Sequence, residues 1–370
     1  MLETIGKSLK SVTSLICGAG SIADLQYVLQ FPRKIAKDSG SNSDVVVLVD
    51  DFFSSDSQIK NQLNLMPNDR LIFVSADEEP TTVAVDTCVQ DLQESGYELP
   101  AAVVGVGGGT TLDIAKAVSN ILGNGGLAAD YQGWDLLQKP GVFKIGIPTI
   151  SGTGAEATRT CVMTNPVTKV KLGMNSNFSI FDYVILDPDL SATVPRDQYF
   201  FTGMDTYIHC IESLSGNQRN SIADGMAMGA LELCRSVFCS DDMMDPVSRE
   251  MLMAASYLGG SAIAMSMVGV IHPFSAALSV VLGFHHGVAN CIAMTNLQEF
   301  YPEAHEEFSG MVDKQSVEIP KNVCQDLDED QFRELYDAMI IHENPLLNAL
   351  GPDFCEILTF DKVASIFNRM

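Results

Sequence analysis

Ala101-Ala102-Val103-Val104-Gly105-Val106-Gly107-Gly108-Gly109-Thr110-Thr111-Leu112-Asp113-Ile114-Ala115-Lys116 is the stretch whose reading decides the fold. It opens as a continuous apolar run, the pattern of a strand covered on both faces. It then breaks into three consecutive glycines, and a helix begins near Thr110. Backbone without side chains lets a pyrophosphate come close, and the free N–H groups of a helix start stabilise its charge. Gly107, Gly108, Gly109 and Thr110 are therefore candidate cofactor-binding residues. The spacing is not GxGxxG, and Lys116, one turn on, reads as a surface or strand-packing residue.

Working outward, strand-like and helix-like segments alternate from the start of the chain to residue 187, which predicts an α/β dinucleotide-binding domain with a Rossmann-like parallel sheet. Leu15-Ile16-Cys17 runs into the turn Gly18-Ala19-Gly20. Val45–Val49 is a second buried parallel strand, ending at Asp50-Asp51. A carboxylate there, with Asp50 the better placed, hydrogen-bonds a ribose 2′-hydroxyl and repels a 2′-phosphate, or is simply a loop acid. A strand over 70–74 leads to the acidic loop Asp77-Glu78-Glu79-Pro80, and Thr81 to Ser95 reads as a helix. A loop with the single Trp, Asp130-Tyr131-Gln132-Gly133-Trp134-Asp135, precedes a strand at 143–149. That strand ends in Ile150-Ser151-Gly152-Thr153-Gly154-Ala155-Glu156, a second glycine- and hydroxyl-rich turn. Thr149, Ser151 and Thr153 there can donate to a phosphate or ribose.

Beyond Val184-Ile185-Leu186-Asp187-Pro188 the periodicity is helical, with Ala/Met/Leu-rich stretches at 222–238 and 247–269 and an acidic tail from 301. Residues 188–370 are expected to form an all-α metal and substrate domain. Within it, Asp205 and His209 are four residues apart with no Gly or Pro between, which stacks carboxylate and imidazole on one helix face. Such a pair is either a plain hydrogen bond or half of a metal site. The second reading gains from His272 and His286, since the whole chain has only six His. On one straight helix those two would stand roughly 21 Å apart. Pro273 suits the first turn of a helix starting just after His272, and Gly283 ends it before the loop His285-His286-Gly287, so the chain folds back. Asp205, His209, His272 and His286 then make a carboxylate–imidazole set for Fe(II), Zn(II) or another first-row ion, rather than Ca or Mg.

These motifs resemble the iron-containing (group III) alcohol dehydrogenases, whose fold is shared with glycerol dehydrogenase and dehydroquinate synthase. The resemblance covers most of the chain. It rests on the Asp-x3-His helix, on His286-Gly287-Val288-Ala289-Asn290, on the glycine turn (Thr110 where the family has Ser, then Asp113), and on the Pro148–Glu156 turn. It implies that the four ligands hold the catalytic ion, that Asp113 joins the cofactor site, and that Asp50 favours NAD over NADP. Lys171 is implied to contact the nicotinamide ribose, although a surface role fits it equally. Many relatives carry a further His four residues after the first of the late pair, where this chain has Ala276. Any proton relay there is lost or passes to His285, for which a supporting role is equally open.

Three local runs, 131–135, 154–160 and 283–287, resemble the 3-deoxy-D-manno-octulosonate (Kdo) 8-oxidases, which oxidise the C8 alcohol of that sugar acid for lipopolysaccharide assembly. Arg159 is a cation able to grip a sugar carboxylate in two places, or a surface residue. The expected reaction is oxidation of a primary alcohol with NAD as acceptor. The alternatives are another alcohol or polyol dehydrogenase of this family, or a lyase like dehydroquinate synthase.

Composition bounds the rest. At 370 residues, 46% hydrophobic and 19% charged, the chain reads as a two-domain ordered enzyme. A formal net charge of −25 argues against nucleic acid or an anionic membrane as partner. No apolar run reaches the roughly 20 residues that span a bilayer. Met1–Lys7 lacks the layout of a signal peptide. The nine Cys show no CxxC pairing, as in a reduced cytoplasmic protein. A homodimer is the expected assembly.

Overall fold

The computed structural model describes residues 10–76 and 79–370. Residues 1–9, which include the segment read against a signal peptide, and Asp77-Glu78 of the acidic loop lie outside the described residues. The first part alternates β1 (Ser14–Cys17), α1 (Leu25–Asp38), β2 (Val45–Asp50), α2 (Ser57–Leu63), β3 (Arg70–Val74), α3 (Thr82–Glu94), β4 (Ala102–Gly107) and α4 (Gly109–Asn124). It continues with β5 (Gly133–Trp134), β6 (Lys144–Pro148), β7 (Thr160–Asn165), β8 (Val170–Asn175) and β9 (Tyr183–Leu186). Six of these strands form one parallel sheet in the order β1-β9-β6-β4-β2-β3. The continuous apolar runs of β2 and β4 follow from this. Val45, Val47 and Val49 face a core shared with α1 and α2, while Val46 and Leu48 face a second core shared with α3 and α4.

The strand order creates the binding crevice. From β2 the chain moves to β3 on one side, and from β4 to β6 on the other. The C-terminal ends of β2 and β4 therefore flank a topological switch point, where open α/β sheets bind their ligands. Asp50 and the glycine turn sit at those two ends. Gly107 is needed for close packing: a Cβ on it would lie 2.6 Å from Thr111 and 3.0 Å from the Asp50 Cβ.

Sequence reasoning did not foresee the second sheet, in the order β5-β8-β7, whose β7–β8 pair is antiparallel. It departs from simple β/α alternation and carries Lys171, with Arg159 just before β7. Smaller corrections concern helix ends. The helix expected near Thr110 starts at Gly109, and Thr81 caps α3 through its hydroxyl.

The second part is helical: α5 (Arg196–Ser215), α6 (Ser221–Phe238), α7 (Pro246–Met265), α8 (Ile271–Leu282), α9 (His286–Asn296), α10 (Pro302–Gln315), α11 (Glu329–Ile340), α12 (Glu343–Leu350), α13 (Phe354–Ile357) and α14 (Phe360–Phe367). Its core is built from residue 199 onward. α7 stops at Met265 rather than at 269. Gly283 ends α8 in the left-handed conformation, as the fold-back required. His286 is the first residue of α9, not a loop residue, and His285 stands at its N-cap. Among the described residues no helix is long and apolar enough to cross a membrane.

Candidate metal and dinucleotide site

One carboxylate is the centre of the site. Asp205, buried on α5, has its Oδ1 3.3 Å from His209 Nε2 and 3.2 Å from His272 Nε2, and its Oδ2 3.4 Å from His286 Nε2. The i,i+4 spacing on α5 delivers the first imidazole. α8 and α9, folded back at Gly283, deliver the other two from their first turns. Asp205, His272 and His286 each offer a ligand atom within 4.8 Å of the others. His209 stacks on His272, with ring centroids 4.7 Å apart.

The surroundings fit a bound cation. Asp205 Oδ2 is buried and has no hydrogen-bond partner among the described residues, although Asn290 donates to Oδ1 at 2.7 Å. A buried carboxylate oxygen without a donor is costly unless a cation faces it. Three imidazole Nε2 atoms and one carboxylate form a donor set for a divalent first-row ion. His272 is aimed by Glu212, whose Oε2 accepts from His272 Nδ1 while Oε1 accepts from the Ile271 N–H at 2.5 Å. That contact leaves Nε2 turned to the site, the usual carboxylate–imidazole arrangement behind a metal ligand.

Electrostatics agree with the geometry. Burial works to raise the Asp205 carboxyl, but the nearby His209 and His286 imidazoles and the hydrogen bond with His272 hold it well below the usual range. Burial pushes the His209 imidazole down to about 3 against the pull of Asp205, keeping it neutral and available as a ligand. At His272 burial is overcome by Glu212 and Asp205, which raise it to about 10. A cation and a proton therefore compete for His272.

The ligands open into a cleft of about 1690 Å³ that also contains the strand-end turns. Asp50, Gly108, Gly109, Thr110, Asp113, Thr149, Thr153, Arg159, Lys171, Asp205, His209, His272, His285 and His286 all line it. Two expected cofactor residues do not. Gly107 lies behind the wall for the packing reason given above, and Ser151 is buried with its Oγ unpartnered among the described residues. Asp50 caps the short turn after β2 by accepting from the Phe52 N–H at 3.0 Å. Burial pushes Asp113 up to about 6, opposed by Lys116 and the Val162 N–H. Lys116 is not at the surface: it is fully buried and donates to Thr158 and to the Thr160 carbonyl.

The two cations noted in the sequence are already paired. Arg159 meets Asp135 and lies 5.8 Å from the centre of the Trp134 ring. Lys171 is buried, not a surface residue, and its Nζ is 2.8 Å from Glu79. Sequence reasoning also missed His342, which enters the cleft from the turn between α11 and α12 and is pushed down to about 4 by burial, Lys171 and His272. Glu212 was legible: it is seven residues after Asp205, hence on the same face of α5.

Residues 13–188 match the family described as iron-containing alcohol dehydrogenase, and residues 200–342 match the Fe-containing alcohol dehydrogenase family, C-terminal. The chain is 30% identical over 237 residues to the NAD-dependent methanol dehydrogenase of Bacillus methanolicus, covering 63% of this chain and 61% of that protein. It is 31% identical over 222 residues to the sulfoacetaldehyde reductase of Bilophila wadsworthia, covering 59% and 56%. These matches span about three fifths of each relative's length. The 1-propanol dehydrogenase PduQ of Citrobacter freundii is 26% identical, with 80% of this chain and 73% of that protein covered. The crystal structure of a 1,3-propanediol oxidoreductase superposes with a TM-score of 0.82 at 20% identity, covering 97% of this chain and 98% of that one, which shows the same fold. A sulfoacetaldehyde reductase from Bifidobacterium kashiwanohense in complex with NAD+ does so with a TM-score of 0.76 at 21% identity, covering 98% of each chain. With both halves of the chain matched, the protein belongs to the iron-containing alcohol dehydrogenase family.

Proposed function

We propose that this protein oxidises a primary alcohol to an aldehyde with NAD as hydride acceptor and a divalent Fe or Zn ion at Asp205, His209, His272 and His286. One observation carries the reading: three imidazoles converge on a partly unpartnered carboxylate in the same cleft as the strand-end turns of β4 and β6. When bound, the ion supplies Lewis acidity toward an alcohol oxygen, and the dinucleotide accepts the hydride. The chain's own residues orient and protect. Gly108, Gly109, Thr110 and Thr153 offer backbone and hydroxyl donors to a pyrophosphate, Asp113 joins that cofactor pocket, Asp50 selects a ribose without a 2′-phosphate, and Lys171 contacts the nicotinamide ribose. Glu212 and Asn290 hold His272 and Asp205 in place. His285, exposed at the cleft, carries the alcohol proton to solvent.

Within this reading the first-choice substrate is the C8 hydroxyl of Kdo, with Arg159 engaging its carboxylate. Arg159 faces the cleft and keeps donors beyond the one engaged by Asp135. A simple alcohol or polyol is the second reading, favoured by that same Asp135 pairing, which partly satisfies the cation, and by the methanol and 1-propanol relatives. Residues 1–187 and 188–370 would act as the two domains, in a cytoplasmic homodimer. The test is NADH formation on Kdo and on short alcohols, beside metal analysis of wild type and His272→Ala. Near-stoichiometric metal lost together with activity supports the site. Turnover of Kdo alone selects the sugar acid, turnover of short alcohols alone selects the second reading, and a metal-free, inactive wild type refutes both.

A further inference from the structure

The turn after β6 closes on itself through the Gly154 carbonyl, which accepts from the Ala157 and Thr158 N–H groups, but its Gly152–Gly154 segment is held by two helices of the second part. Thr206 Oγ1, on α5, donates to the Gly152 carbonyl at 2.7 Å. Ser256 Oγ, on α7, accepts from the Gly152 N–H at 2.9 Å and from the Gly154 N–H at 3.2 Å. Both polar groups of Gly152 are thus gripped by side chains from different helices. The single proton of Ser256 goes to Glu156 Oε1 at 2.8 Å, which fixes the direction of its lone pairs toward the two amides. Glu156 is buried with no ion pair among the described residues, and Ser256 is the side-chain donor to it, beside its own backbone N–H.

The grip reaches both sites. Thr153 lies between the two held glycines and lines the cleft, and its side chain is 3.1 Å from where a Cβ on Gly109 would stand. Moving the turn therefore moves a wall of the pyrophosphate pocket. At the other end Thr206 directly follows Asp205, the carboxylate on which the imidazoles converge. The turn is also docked directly on α7, since Gly154 and the α7 residue Gly260 are in backbone contact that admits no Cβ on either.

We infer that Thr206 and Ser256 are positioning residues that couple dinucleotide binding to occupancy of the metal site. The inference rests on the NAD- and metal-binding reading above. Coupling of this kind is a ratio of affinities and is reciprocal: NADH tightens the ion by the same factor as the ion tightens NADH.

The experiment measures the Kd of NADH, through quenching of Trp134 in the cleft, on chelator-stripped protein and on protein saturated with Zn2+. Wild type is expected to show a ratio of about fivefold or more, the lower end of typical coupling. Thr206→Val and Ser256→Ala are expected to reduce it below roughly twofold while still binding both ligands, and Thr206→Ser, which keeps the hydroxyl, to restore it. A lost fold alone would not yield this split or its rescue. Should Thr206→Val fail to fold, the Ser256→Ala and Thr206→Ser pair reads the same ratio. An unchanged ratio in the hydroxyl-deleting variants, or no coupling in a wild type that binds both ligands, overturns the inference alone. A wild type that binds neither overturns the proposed function and the inference with it.

Discussion

Two glycine-to-alanine changes in neighbouring helices should move stability in opposite directions. Gly225 lies exposed in α6, and a Cβ added there meets no atom within 4 Å. Alanine at that position loses less backbone entropy on folding and gains about 0.5–1 kcal/mol. Gly260 lies in α7, and its added Cβ would stand 2.5 Å from the Gly154 carbonyl oxygen and 2.7 Å from the Gly154 Cα. Both are backbone atoms, so no rotamer change relieves the clash, which falls roughly 1 Å short of a ~3.5 Å contact. The same helix-propensity gain of about 1 kcal/mol is then set against an overpacking cost of about 1–3 kcal/mol. Separating α7 from the turn also stretches the two Ser256 hydrogen bonds, each worth about 1 kcal/mol. The cost wins at Gly260, with a net loss of about 1–3 kcal/mol. The assay is thermal or urea unfolding of metal-loaded protein under identical conditions, with NADH affinity measured alongside. Gly225→Ala should raise the midpoint and leave NADH binding unchanged. Gly260→Ala should lower the midpoint and weaken NADH by roughly tenfold or more, the equivalent of about 1.4 kcal/mol. If Gly260→Ala behaved as Gly225→Ala does, the docking of the turn on α7 would not matter as argued.

Glu212→Gln should lower metal affinity about 10- to 100-fold, as loss of a carboxylate behind a ligating imidazole typically does; a chelator-competition constant within twofold of wild type would contradict this. If Asp50 faces the ribose as proposed, Asp50→Ser should improve use of NADP relative to NAD by removing a carboxylate that repels a 2′-phosphate, and an unchanged ratio of kcat/KM values would remove Asp50 from the cofactor site. His342, pushed down to about 4 from 6.5, binds protons less readily folded than unfolded. Its contribution to stability is thus full above pH 6.5 and lost as pH falls toward 4, on the order of 1–2 kcal/mol between pH 7 and pH 5. His342→Gln should accordingly show a smaller drop in Tm over that interval than wild type, and an identical drop would refute the assignment.

Much of the sheet was legible because its signals are local. Val45–Val49 and Ala102–Val106 are apolar at successive positions, and only burial on both faces explains that pattern. The β7–β8 hairpin was not legible for the converse reason. Thr160–Asn165 is half-buried with polar residues at both ends, and Val170–Asn175 contains Lys171. Lys171 is buried in a strand only because Glu79, far away in sequence, pairs with it. Arg159 shows the same limit. Its sequence announces a cation, whereas its pairing with Asp135, 24 residues earlier on a backbone of φ 54°, is something that nothing local predicts.

The site divides along the same line. Asp205 and His209 follow from one helical period, and His272 and His286 follow from the helix stop at Gly283. Glu212 shares the face of Asp205 by the same period, yet its meaning appears only once α8 arrives and His272 turns its Nδ1 toward it. That contact also bears on how the proposed ion would be balanced at the buried Asp205. Asp205 and Glu212 bring two carboxyl groups to one cluster, so a divalent ion bound there would be matched in charge within the protein and need no counter-ion from solvent. In the proposed site the imidazoles would then serve as neutral ligands, consistent with His209 being held uncharged. Removing Glu212 should therefore do more than release His272. It should leave a bound ion with excess positive charge, which strengthens its pull on an alcohol oxygen while weakening its own retention. Metal affinity and the pH dependence of the alcohol step are thus expected to shift together in Glu212→Gln, whereas a residue that merely filled space behind His272 would change the first and not the second.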